Sequence, residues 1–202
     1  VSKRSYAGTY AVRGLQALVC LVLVTGVFTR NPSVVVNALL GLAVTFVPGV
    51  IERDYRVTLG PGPALWVTTA VLLHSVGMLG LYDSVPWWDH LTHTLSATVV
   101  AGAAYAVVHA VDIHESRVHL DDTFMAVFLL VTTLGLGVLW ETMEFVARDL
   151  ASALHLRPVL ILYGADDTIA DLVYDALGGL LVAWFGTRRL DGLANVIADR
   201  LD

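Results

Sequence analysis

Lysine occurs once in 202 residues, at Lys3, against eleven arginines, and cysteine occurs once, at Cys20. A single cysteine forms no internal disulfide, so Cys20 says nothing about redox compartment and reads as a small core residue in mid-span. Twelve basic residues face eighteen acidic ones, for a formal net charge of −6, and no basic stripe runs along any segment. That excludes the electrostatic footprint of a nucleic-acid binder, and of a protein held by charge on an anionic lipid surface. Charged residues of both signs make up only 15% of the chain, against about a quarter in soluble domains. Long polar stretches are missing as well, so little chain remains for a soluble domain.

Apolar residues fill the space instead. They make up 56% of the chain and the mean hydropathy is +0.71, which predicts an integral, multi-pass protein of the cell membrane. Six apolar segments, residues 11–28, 34–51, 64–81, 88–111, 123–147 and 169–185, are each long enough to cross about 30 Å of hydrocarbon at about 1.5 Å per residue. The expected fold is all-α, one transmembrane helical bundle over residues 1–202. The first segment follows Lys3, Arg4 and Arg13, as a signal peptide would. Its apolar run is long and no small-residue cleavage site precedes Arg30, so it reads as a retained helix.

Counting Lys and Arg in alternate loops orients the bundle. Lys3, Arg4, Arg13, Arg53, Arg56, Arg117, Arg188, Arg189 and Arg200 fall on one side, and Arg30, Arg148 and Arg157 on the other. Nine against three predicts that both termini are cytoplasmic. Asn31-Pro32, Gly60-Pro61-Gly62-Pro63 and Pro86 mark breaks between spans, and Pro48 with Gly49 bends or ends the second. Trp66, Trp87, Trp88, Trp140 and Trp184 fall near span ends and read as interface anchors. Residues 109–122 read as a long polar loop in which His109, His114 and His119 are solvated, with a second metal site as the alternative.

Against this background, three groups of ionisable residues stand inside the spans. Asp89 and His93 are four apart, Glu141 and Glu144 three apart, and Asp167, Asp171 and Asp175 form a double four-residue ladder, so each group shares a helix face. A charge in hydrocarbon costs roughly 2.5 to 3.5 kcal/mol on insertion scales, so such residues are paired, protonated or bound to something. With cytoplasmic termini, all three groups fall in the outer halves of spans four, five and six, which predicts one shared site. Six carboxylates and one imidazole, with only Arg148 near them in sequence, call for one or two divalent cations, with some of the acids protonated. Oxygen-rich ligation with one histidine suits Zn, Mn, Fe or Mg rather than a soft metal. We expect His93, Glu141, Glu144, Asp167 and Asp171 as metal ligands, with Asp89 or Asp175 as general base or as an orienting partner.

Blander readings stand beside these. Asp89 and Asp167 lie near helix starts, where the helix dipole favours a carboxylate. Glu144 with Arg148 fits an ordinary salt bridge. His74 reads as a satisfied core histidine, with an outer-ligand role as the alternative, and His90 faces away from His93 toward the interface. Gly178 and Gly179 read as close helix contacts.

The motifs Asp89-x3-His93, Trp140-Glu141-x2-Glu144 and Asp167-x3-Asp171, ahead of a glycine-containing helix, resemble the YjdF-like group of small membrane proteins, related in style to the VanZ-like proteins. The likeness covers residues 64–186. The group's pattern has a further acidic residue where this chain has Gly164, with Asp166 as a shifted substitute. The resemblance implies a polytopic protein with a polar site but no activity to carry over. The association of VanZ-like proteins with glycopeptide resistance hints at an envelope or lipid-linked substrate. The leading expectation is a metal-dependent hydrolase or transferase acting on a lipid or lipid-linked group, with membrane lipid as its partner and no nucleic acid. The alternatives are a non-catalytic membrane subunit with a structural metal or polar cluster, and an ion or metal transporter. The almost purely Ala, Val, Leu and Gly inner halves of spans four to six weigh against a pathway.

Overall fold

The computed structural model describes residues 3–155, 158–160 and 164–201, and among them every regular element is helical. Arg157, one of the twelve residues in the charge count, lies outside the described residues, as do the side chains of Lys3, Arg4 and Arg188. The helices are α1 (Lys3–Phe28), α2 (Pro32–Val44), α3 (Val47–Asp54), α4 (Pro61–Val76), α5 (Tyr82–Ser84), α6 (Trp88–His114), α7 (Asp122–Ala153), α8 (Ala165–Leu181) and α9 (Thr187–Ala198). Six helical stretches are long and apolar enough to cross a membrane: Tyr6–Phe28, Pro32–Asp54, Pro61–Ser84, Trp88–His114, Asp122–Ala153 and Ala165–Gly186.

Helix ends follow local chemistry. Asn31 caps α2 by accepting from the Ser33 and Val34 amides, with Pro32 at the first turn, where its missing N–H is harmless. The second span bends before Pro48, as expected: α2 stops at Val44 and α3 starts at Val47. Thr45 fills the break, donating to the Leu42 carbonyl and accepting from Gln16 on α1. The third span ends in a π-helical turn over Gly77–Leu81, inside which Gly80 takes φ 113°, a conformation open to glycine.

Large side chains point outward and small or polar ones inward. Leu40, Val131 and Ile169 are each more than 60% exposed, whereas Thr68, Ser75, Ala101 and Thr133 are buried. In lipid, where apolar side chains gain nothing by hiding, helix association rests on close packing of small residues. Gly178 and Gly179 serve it on two sides. A Cβ on Gly178 would come within 2.6 Å of Ala97 and of the Thr94 carbonyl on α6, and one on Gly179 within 2.6 Å of Thr133 on α7.

The bundle has two groups of helices. Helices α1, α2 and α4 pack on one another, as do α6 with α7, α8 and α9, and α8 with α7; the groups meet along α4 and α6. The Trp66 indole donates to Thr98 across that seam (3.1 Å) and lies over Gly102. Beneath the polar groups, Ala101, Tyr105, Met125, Leu129 and Val182 form an apolar core.

Four expectations are corrected. Trp66 and Trp88 hydrogen-bond inside the bundle and Trp140 packs on His74, so only the exposed Trp87 and Trp184 fit an anchor role. Helix α6 runs on to His114, which removes His109 and His114 from the loop, and Cys20, expected in the core, is exposed. Helix α9 was not anticipated: it is too short and charged to read as a span, yet Leu190, Ala194 and Ala198 make a four-residue stripe, with both alanines buried.

Candidate metal centre within the membrane helices

Helix α6 begins at Trp88, which puts Asp89 in its first turn and His93 one turn deeper on the same face. Helix α8 begins after Gly164, at φ 130°, and carries Asp167, Asp171 and Asp175 inward. Helix α7 runs antiparallel to both and returns Glu141 and Glu144 to the same end. Gly137 on α7 makes room for Asp175, whose carboxylate would collide with any Cβ there. Six of the seven expected residues, Asp89, His93, Glu144, Asp167, Asp171 and Asp175, line a single cavity of about 460 Å³. Glu141 is buried beside them.

His93 is the centre of this group. Its Nδ1 lies 3.3 Å from Asp175 Oδ1, a hydrogen bond in which the ring donates to the carboxylate. With the proton on Nδ1, the Nε2 lone pair faces Asp89 Oδ1 at 3.7 Å and Asp171 Oδ2 at 3.8 Å. Among the described residues, Asp89, His93 and Asp171 alone offer three ligand atoms within 4.8 Å of one another. Two donors about 2.1 Å from one ion are at most about 4.2 Å apart, so both imidazole–carboxylate distances are compatible with a shared cation. A ring held by a carboxylate on one nitrogen and open on the other is how metal-binding histidines are oriented.

The remaining acids are placed differently. Glu141 Oε2 accepts from the Thr168 hydroxyl at 2.7 Å, while its Oε1, like Asp171 Oδ1, is buried without a hydrogen-bond partner among the described residues. A buried carboxylate oxygen with nothing to accept from costs its full desolvation. Glu144 and Asp167 line the cavity outside the three-residue group. Asp89 and Asp171 lie within Coulombic reach of each other and of both Glu141 and Asp167, and Glu144 lies within reach of Asp89, Glu141 and Asp171. The salt bridge between Glu144 and Arg148 does not form: Arg148 turns to Asp149 and lies over the Phe145 ring. His90, expected at the interface, stacks on Tyr174 of α8, with ring centroids 4.1 Å apart.

Across the cavity lies a polar network that sequence reasoning missed. His74 is the satisfied core histidine expected, with both ring nitrogens engaged. The Asn37 amide nitrogen donates to the Ser33 and Val159 carbonyls, which turns its oxygen toward His74 Nε2 at 3.2 Å. The Tyr82 hydroxyl sits 2.8 Å from His74 Nδ1, so Nε2 carries the ring proton and Nδ1 accepts. Tyr82 follows the π-helical turn, kinked at Gly80, and its ring lies over Gly77, where a Cβ would meet it at 2.5 Å. The same hydroxyl lies 3.3 Å from Thr92, whose own hydroxyl donates to the Asp89 carbonyl. Asn37 in a span otherwise rich in Val and Leu was the one signal available in the sequence.

At the opposite end, the three histidines of residues 109–122 are not gathered. His109 lies between Asp112 (3.6 Å) and Asp191 of α9 (3.8 Å), and Tyr105 donates to Asp191 at 2.6 Å. These contacts fasten α9 to α6.

The chain is similar to an uncharacterized protein of Thermotoga maritima, 26% identical over 151 residues, which is 73% of each chain. No solved structure matches it. The profile of one family, described as "Predicted membrane protein (DUF2238)", matches residues 11–192. Five of the six apolar helices, most of the first and nearly the whole length of the chain thus fall within one family match, and the chain belongs to that family of membrane proteins.

Proposed function

We propose that the protein is a membrane-embedded, metal-dependent hydrolase or transferase acting on a lipid or lipid-linked substrate. The observation that carries this reading is the Asp89–His93–Asp171 group, with a buried unpaired oxygen on Asp171, in the wall of a 460 Å³ cavity. In this assignment Asp89, His93 and Asp171 hold a divalent ion, Zn, Mn, Fe or Mg, and Asp175 orients the His93 ring. Asp89 thereby moves from candidate base to ligand. Glu144 and Asp167, on the cavity wall but outside the group, are the candidate general bases, and Glu141 with its unpaired Oε1 is a further ligand. A bound ion supplies Lewis acidity and acidifies a water molecule. The carboxylates position that water and take its proton.

A purely structural metal site is closed and fully ligated, whereas this group faces an open volume. A transport pathway needs polar groups to continue inward, and the apolar layer of Ala101, Leu129 and Val182 stands there instead. The motif likeness to YjdF-like and VanZ-like proteins supports an envelope-lipid substrate, and the arginine and lysine count supports a site near the outer face.

Elemental analysis of the detergent-purified protein tests the reading. We expect about one divalent ion per chain, reduced at least about tenfold in His93→Ala and Asp171→Asn and retained in Asp166→Asn, an exposed position. A metal-free protein whose melting temperature ignores added Mn²⁺ and Zn²⁺ would sink the metal centre.

A further inference from the structure

The wall of the cavity is shared between helices that do not pack on each other. Asn37, Gly41 and Val44 of α2 and Val67, Val71 and His74 of α4 line one side, and Leu136, Leu139, Trp140 and Met143 of α7 the other. Helix α7 packs on α6 and α8 and meets α4 at the His74–Trp140 ring contact, 6.1 Å between centroids. Val44, Leu136, Leu139 and Met143 are at once cavity wall and outer surface, each more than 40% exposed. They mark a rim that opens sideways, within the apolar band of the spans rather than at a span end.

The length of the opening is informative. Along α6 the wall runs from Asp89 to Val100, about 16 Å at about 1.5 Å per residue, which is close to half of a hydrocarbon core about 30 Å thick. A hydrocarbon chain lying in one leaflet spans the same depth. The volume falls within the range of built ligand sites, about 300 to 1,000 Å³.

Charge then narrows what that chain carries. Among the described residues, five carboxylates line the cavity and no lysine or arginine does. Sites that handle phosphoryl groups clamp their oxygens with Arg, Lys or several metal ions. Here the wall supplies carboxylates and the imidazoles of His74 and His93, and whatever fraction of the acids ionises, none of the acids contributes positive charge. Asp89 and Asp171, ionised as ligands, already offset the two positive charges of a single divalent ion and leave no surplus for a phosphate.

We infer that the cavity is a lateral lipid slot: one chain of a membrane lipid enters between α4 and α7 and brings an uncharged ester or amide carbonyl, not a phosphate, to the Asp89–His93–Asp171 end. This rests on the metal-dependent reading above and names its substrate class. Hydrolysis of such a bond balances with water alone. The water oxygen bonds to the carbonyl carbon, the acyl C–O or C–N bond breaks, and the proton taken by a carboxylate ends on the departing oxygen or nitrogen.

Photolabelling of the full chain in detergent micelles tests it, using diacylglycerol and phosphatidic acid probes with the same diazirine-bearing acyl chain. Diacylglycerol should label residues 67–71 and 136–143 at least about tenfold more than phosphatidic acid does. Leu136→Trp, which fills the rim, should cut that labelling about tenfold, whereas Val138→Trp, equally exposed but off the wall, should leave it within about twofold. Preferential capture of phosphatidic acid would overturn the carbonyl assignment. Labelling that ignores Leu136→Trp would overturn the slot, since it would report only the lipid-facing surface. Metal content measured on the same samples separates the two claims. Bound metal without diacylglycerol labelling refutes the slot and leaves the metal centre standing, and selective labelling of a metal-free protein does the reverse.

Discussion

Asp175 lies about 15 Å into α8 at about 1.5 Å per residue, a depth at which a bare carboxylate is costly. Its oxygen accepts from His93 Nδ1, and Gly137 leaves the space the carboxylate fills. If Asp175 orients the imidazole, Asp175→Asn should keep the ring in place, because an amide oxygen also accepts from Nδ1–H. Binding of Mn²⁺, read by titration, should then weaken about 10- to 100-fold with melting temperature little changed. Unaltered affinity would reduce Asp175 to a packing residue. The four-residue spacings made each shared face legible in the sequence. Which acid meets which ring nitrogen was not legible, because that depends on how α6 and α8 rotate about each other, and one helix's period carries no such information.

Among the elements, the π-helical turn over Gly77–Leu81 decides the second polar group. Hydropathy runs unbroken across residues 64–81, so nothing in the apolar pattern separated this turn from continuous helix. Only Gly77 and Gly80 hinted at it. Its effect is to bring the Tyr82 hydroxyl to His74 Nδ1. Tyr82→Phe removes that contact and leaves a buried nitrogen short of a donor, which should cost about 1 to 3 kcal/mol in thermal or denaturant unfolding. A neutral outcome would mean that water replaces the hydroxyl. Helix α9 was legible in principle from the spacing of Leu190, Ala194 and Ala198, but a search for spans about 20 residues long passes over an amphipathic helix that lies along the bundle.

For the whole molecule, the six spans were legible because transfer energy sums over some 20 residues, so no single polar side chain masks the signal. The cavity was not, since it arises between helices that fail to pack rather than within any one of them. Orientation has a direct check. With Cys20→Ala removing the one thiol, Asp166→Cys beside the site and Arg117→Cys at the other end are both exposed positions. A membrane-impermeant maleimide applied to intact cells should label the first and reach the second only after lysis; the reverse pattern would turn the site toward the cytoplasm. The apolar layer of Ala101, Leu129 and Val182 then acquires an electrical meaning. Asp89, His93 and Asp171 lie within about 9 Å of the starts of α6 and α8 at about 1.5 Å per residue, so the greater part of a hydrocarbon core about 30 Å thick lies beyond them as an insulating layer. The transmembrane voltage, about 2.3 kcal/mol per elementary charge for each 100 mV, falls mainly across that layer. An ion held by Asp89, His93 and Asp171 on the cavity side of it is therefore shielded from most of the field, and its occupancy should be nearly indifferent to whether the cell is energised.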